Sequence, residues 1–287
     1  MRRTFRKVKK KEKTHQWQRN NMNNLVMDYH VYEMSGQEKL TTFFVALIVG
    51  GLAGLIFYGG LFKKDGAPTQ LTYIADIVIF LVTGTIAGLL LIPARQKQLL
   101  EKRQKSLRSQ FRDMLESVTT SLAAGDTVVQ AFDNAYKDMC EEFGQAAYIS
   151  REVEQFVDAR KNNVSLEIVV DDFAKRSACE DVESFASVFK ASYGPGGRMS
   201  DVMRNTHDII TEKMEVEDEV ASKLSSNKLE LNLISAMPVI IVGLLRLTNP
   251  TFAENFATIQ GIMVNTVAIV IFIAAFAMGQ NIIRIKT

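Results

Sequence analysis

The chain is poor in the residues that most often carry chemistry. Of its 287 residues only three are histidines and two are cysteines. His15, His30 and His207 sit at no metal-ligand spacing, and none belongs to an HExxH pair or a nucleophile–base–acid series. Cys140 and Cys179 are not spaced as CxxC, and two thiols are too few for a cysteine-only zinc site or a disulfide framework. They read as free thiols in a reducing cytoplasm. The glycine-rich stretch Gly194-Pro195-Gly196-Gly197 lacks the GK[ST] of a phosphate-binding loop and follows no strand, so it reads as a turn. No catalytic group, cofactor or metal is expected.

Charge is also missing, from four long stretches. The first is Leu40 to Phe62, and the second is Ile77 to Ala94 between Asp76 and Arg95. The third is weaker, lying between Glu230 and Arg246 with Pro238 inside. The fourth lies between Glu254 and Arg284. A hydrocarbon core of about 30 Å needs about 20 helical residues at 1.5 Å each, so these are candidate membrane spans. The first begins too late and runs too long for a cleaved signal, so it is expected to be retained.

Placement of charge supports counting the third span. Basic residues crowd the start (Arg2, Arg3, Arg6, Lys7, Lys9, Lys10, Lys11, Lys13), the stretch after the second span (Arg95, Lys97, Lys102, Arg103, Lys105, Arg108) and the tail (Arg284, Lys286). The segment 63–73 has only two lysines, and 248–258 has no Lys or Arg but carries Glu254. Cytoplasmic flanks carry excess Lys and Arg. Four spans therefore put both termini and the central region inside. The basic arm is expected to meet anionic lipid rather than nucleic acid. Arg246, near the outer end of its span, is expected to snorkel to the interface. Gly50 with Gly54, and Gly84 with Gly88, form GxxxG pairs that would pack the first two spans on each other or on another subunit.

Between the second and third spans the pattern is helical. Phe111, Met114, Leu115, Val118 and Leu122 form one apolar stripe. Gly125 suits a helix end and Asp126 a new N-cap. Further helices are expected around Phe132, around Phe156, from about Ser165, around Phe185, and from about Met199 into the third span. No stretch alternates as a surface strand does. The expected object is an all-α membrane protein. A basic arm (1–39) leads to two spans (40–94), a cytoplasmic bundle of about six helices (95–230), and two more spans with a short tail (231–287).

Carboxylates cluster at Glu141-Glu142, Asp171-Asp172, Glu180-Asp181-Glu183 and Glu215-Glu217-Asp218-Glu219. They read as solvated helix faces, with contact to a cation or a basic partner as the alternative. Pro238 is expected to kink the third span.

The stretch from Phe111 through Gly125 to Phe132 resembles the first motif of the type II secretion system F domain family. Val164–Arg176 resembles its next helix, and Tyr193-Gly194-Pro195-Gly196-Gly197 its glycine turn. Met237-Pro238, Leu247-Thr248-Asn249-Pro250-Thr251-Phe252, Gly261 and the ending from Met278-Gly279 resemble the Tad-type, TadB-like branch. The resemblance covers roughly residues 75–287. It implies a non-enzymatic inner-membrane platform of a type IV (Tad/Flp-type) pilus or type II secretion machine. Such a platform works with a cytoplasmic secretion ATPase, with pilin or prepilin subunits, and with itself or a paralogous TadC-like protein. On that reading the acidic groups Glu141, Glu142, Glu180, Asp181 and Glu183 are partner contacts, and Gly125, Gly194, Gly196, Gly197, Pro238 and Pro250 set turns and kinks. A transporter or channel subunit, or a membrane signalling scaffold, is the alternative. The outer loops are short for a receptor, and the spans offer little polarity for a transport path beyond Thr83, Thr85, Asn265 and Thr266.

Overall fold

Helix dominates because apolar residues recur at three- and four-residue spacing, and side chains cap the helix starts at Ser35, Thr127 and Asn249. A computed structural model describes residues 16–20, 22–62, 68–193 and 199–285, without the side chains of 224–228 and 280–285. The basic arm at 2–13, His15, Lys286, and the turn glycines Gly194, Gly196 and Gly197 lie outside the described residues. The chain divides into two compact units, one of residues up to Glu33 with Gln96–Thr211, the other of Met34–Arg95 with Glu212–Thr287.

The first unit opens with a departure from the all-helical expectation. Strand β1 (Trp17–Arg19) pairs antiparallel with β2 (Leu25–Met27), with Trp17 opposite Met27 and Arg19 opposite Leu25. Three-residue strands are too short to show a period of two in sequence. Asn20, Asn23 and Asn24 belong to the turn that joins them. The Asn20 side chain accepts from the backbone N–H of Met22 (3.0 Å) and of Asn24 (2.9 Å), and Asn23 sits at φ 62°, which Asn tolerates better than most residues.

The helical part of this unit uses the lower half of α2 (Gln70–Ala123), then α3 (Val128–Phe143), α4 (Tyr148–Lys161), α5 (Leu166–Ser177), α6 (Glu180–Ser192) and the start of α7 (Met199–Thr248). Gly125 stands at φ +98° between α2 and α3, a conformation that glycine reaches without a Cβ penalty. The cap of α3 falls one residue later than the sequence suggests. Thr127 and Gln130 form a reciprocal capping box, while Asp126 accepts from Asn134 Nδ2 at 3.0 Å. Aromatic rings make the core. Phe111 meets Phe185 at 5.4 Å and Phe173 at 6.0 Å, and Phe132 stacks on Phe156 at 4.6 Å.

The second unit holds α1 (Gly36–Tyr58), the upper part of α2, the rest of α7, α8 (Pro250–Phe256) and α9 (Ile259–Ile285). A capping box of Ser35 and Glu38 starts α1. Among the described residues, four helices are long and apolar enough to cross a membrane: Gly36–Tyr58, Gln70–Ala123, Leu229–Thr248 and Ile259–Gly279. Pro238 lies within α7, which continues through it as one helix. Pro250 begins α8, where Asn249 Oδ1 caps the N–H of Phe252 at 3.1 Å.

Candidate functional site

Two constellations of polar side chains stand out, one in each unit. The first answers a problem set by the end of α1. The last carbonyls of a helix have no partner within it, and in hydrocarbon no water can serve them. Arg246 of α7 donates from Nη1 to the carbonyl of Leu55 (3.1 Å) and of Ile56 (2.5 Å), and from Nη2 to that of Gly59. Asn265 of α9 donates from Nδ2 to the carbonyl of Phe57 at 2.8 Å, and Tyr58 Oη meets Thr266 Oγ1 at 3.0 Å. Asp76 of α2 accepts from the N–H of Gly60 at 2.7 Å. The end of α1 is thus clasped by side chains from three other helices. The guanidinium also sits where the negative end of the α1 dipole attracts a cation. The Arg246 charge, expected to snorkel to the interface, is given to backbone carbonyls at the end of α1.

The glycine pairs build the other contact of α1. A Cβ on Gly50 would lie 2.4 Å from that of Ala87, and one on Gly54 would lie 2.1 Å from Thr83 Oγ1. On Gly84 it would lie 2.5 Å from the carbonyl oxygen of Leu47, and on Gly88 2.5 Å from Phe43 Cδ2. All four glycines line the crossing of α1 and α2, where only a missing side chain lets the backbones approach.

The second constellation docks the hairpin on the helices of the first unit. Arg176 of α5 forks onto Glu152 of α4 (Nη1–Oε1 3.0 Å, Nη2–Oε2 2.8 Å) and reaches Asp172 through Nε at 2.8 Å. Its Nη1 also donates to the carbonyl of Met27 at 2.8 Å, and Tyr29 donates its hydroxyl to Glu152 Oε1 at 2.9 Å. Tyr29, Glu152 and Arg176 are all buried. Burial, then the Glu152 carboxylate, pushes the Tyr29 phenol well above its usual value. Burial alone would lower the Arg176 guanidinium, but Glu152 and Asp172 more than offset it and hold the group charged. Gln155 Oε1 accepts from Asn20 (3.1 Å) and Asn24 (2.9 Å), so the hairpin turn is read by α4. Arg103 lies between the rings of Tyr32 (4.3 Å) and Tyr148 (5.9 Å).

The acidic residues singled out by sequence differ in their exposure. Asp181 is buried in an ion pair with Arg108 (2.5 Å) and is not presented to a partner. Glu141 and Glu142 are exposed at the end of α3, and Glu180 and Glu183 are exposed in the first turn of α6. Among the described residues, no group of three or more His, Cys, Asp and Glu could hold a metal ion. Sequence reasoning missed Glu152, Arg176, Tyr29 and the partners of Arg246 and Asn265. The only signal for the last pair was polarity inside apolar runs.

Compared with known proteins, the chain matches no family model, no curated protein and no solved structure.

Proposed function

We propose that this chain is a non-enzymatic platform of a pilus or secretion assembly machine, of the type IV (Tad/Flp-type) or type II class. It would sit in the cytoplasmic membrane with both termini and the helical unit inside. One observation carries the reading. A helical unit is inserted between two pairs of membrane-length helices, and the passages from unit to unit, at residues 95–96 and 211–212, fall inside α2 and α7 rather than in loops. A protein that takes up work from a cytoplasmic ATPase and delivers it to membrane helices needs a path of this kind. The resemblance of Phe111–Phe132 and Val164–Arg176 to the secretion F domain supports the same reading. The exposed carboxylates Glu141, Glu142, Glu180 and Glu183 are the proposed ATPase contacts, and Asp181 leaves that set.

A transport path finds less support. Buried polarity at membrane depth is a mark of transport, but the Arg246 and Asn265 side chains are engaged with the carbonyls of α1. The test is in-cell crosslinking and pull-down of the tagged protein, followed by identification of its companions by mass spectrometry. Recovery of a hexameric secretion ATPase and pilin-like subunits is the expected outcome. Their absence, with the protein intact and abundant in the membrane, overturns the proposal. Reversing Glu141, Glu142, Glu180 and Glu183 together to Lys is expected to lower ATPase recovery at least tenfold.

A further inference from the structure

A groove of about 710 Å³ runs along one side of α9, walled by Pro238 and Val242 of α7 and by Phe252 and Phe256 of α8. Its chemistry is sorted along its length. At the corner of α8 and α9 it is lined by Asn255, Thr258 and Gln260, and beyond them by Val264, Ala268 and Phe272. Asn265 also lines it, with its amide N–H already given to the carbonyl of Phe57. Near the polar end the Arg246 guanidinium lies 5.6 Å from the centre of the Phe256 ring, and the segment 248–258 carries Glu254 and no Lys or Arg.

Length and polarity select the occupant. From Gln260 to Phe272, α9 advances about 18 Å at 1.5 Å per residue. That is close to one leaflet, half of a hydrocarbon core about 30 Å thick. A groove that runs one leaflet deep is too short to seat a partner's spanning helix along its length, and its apolar floor with one polar end fits a lipid.

We propose that this groove is a lipid site. It holds one glycerophospholipid of the leaflet on the α8 side, with phosphate and glycerol at Asn255, Thr258 and Gln260 and hydrocarbon along α9 as far as Phe272. The proposal rests on the spans lying in a bilayer and is independent of the assembly role.

The test is native mass spectrometry of the full chain, purified in mild detergent from membranes containing phosphatidylglycerol and phosphatidylethanolamine. One phospholipid is expected to stay bound under activation that strips the rest. Ala268→Trp, which fills the groove, is expected to reduce that retention at least tenfold. Val270→Trp, on an exposed position outside the groove, is expected to leave it unchanged. To keep folding out of the comparison, Ala268→Cys and Val270→Cys are also modified with a bulky maleimide after purification, beside wild type with its own Cys140 and Cys179 treated alike. No retained lipid in wild type, or equal retention at positions 268 and 270 after modification, overturns the proposal. So does a photocrosslinker at position 268 that captures a polypeptide instead of lipid.

Discussion

At the scale of single residues, the energetics turn on groups removed from water and supplied with partners. Arg246 is such a group in the membrane unit. Arg246→Leu leaves the carbonyls of Ile56 and Gly59 without their donor, and an orphaned buried polar group costs about 1–3 kcal/mol. The variant is expected to melt at a clearly lower temperature in detergent, read by size-exclusion fluorescence after heating. Arg246→Lys should recover only part of the loss, because one ammonium cannot span three carbonyls as a planar fork does. In the helical unit a pH limit follows from tyrosine. The phenol of Tyr136 is pushed up to about 12, first by burial and then by its contact with Cys140. An unfolded tyrosine ionises near about 10. The unfolded chain therefore releases its proton first as pH rises. The contribution of Tyr136 is fully present below pH about 10 and is lost between there and about 12. Chemical unfolding followed by circular dichroism from pH 8 upward should show this loss, and Tyr136→Phe should reduce it, leaving the shares of Tyr29 and Cys179, which burial also raises.

At the scale of elements, helix starts and stripes were legible because each is written locally. Phe111, Met114, Leu115 and Val118 are all buried at the predicted spacing, and Ser165 precedes α5 as expected. The hairpin was not legible, since its strands are short and its meaning lies in distant residues such as Gln155 and Arg176. The role of Arg246 was hidden for a related reason: its partners are backbone carbonyls, which leave no pattern in side-chain types. The glycine pairs announced close packing but not the partner. Their geometry now makes a graded prediction. Gly84→Ala puts a methyl 2.5 Å from a carbonyl oxygen of α1, whereas a methyl on Gly243 meets only Ile56 side-chain carbons at 3.8 Å. Gly84→Ala should lower the melting temperature of the detergent-solubilised protein. Gly243→Ala should leave it unchanged or raise it slightly, since Ala is favoured over Gly within a helix by about 1 kcal/mol.

At the scale of the whole molecule, sequence order and spatial order differ. The helical unit is assembled from residues 96–211 and from a segment before the first span. Without that segment Arg176 and Glu152 lose the Met27 carbonyl and the Tyr29 hydroxyl as partners. A soluble fragment of 96–211 is therefore expected to unfold at lower denaturant than the same fragment joined through a flexible linker to 16–33. Equal midpoints in urea would show the hairpin to be dispensable for stability.

The separation along the chain has a consequence for biosynthesis. Tyr29 leaves the ribosome long before Glu152, 123 residues later, and Met27 precedes Arg176 by 149 residues. At roughly 5–20 residues per second, translation leaves an interval on the order of 6–30 seconds. In that interval the first two spans emerge while the hairpin has no surface to dock on. The nascent helical unit can close only after α5 has been made, so its completion is timed by elongation through a region that follows the first membrane insertion. Pausing the ribosome before Arg176 should hold the chain inserted at α1 and α2 with Tyr29 still open to solvent.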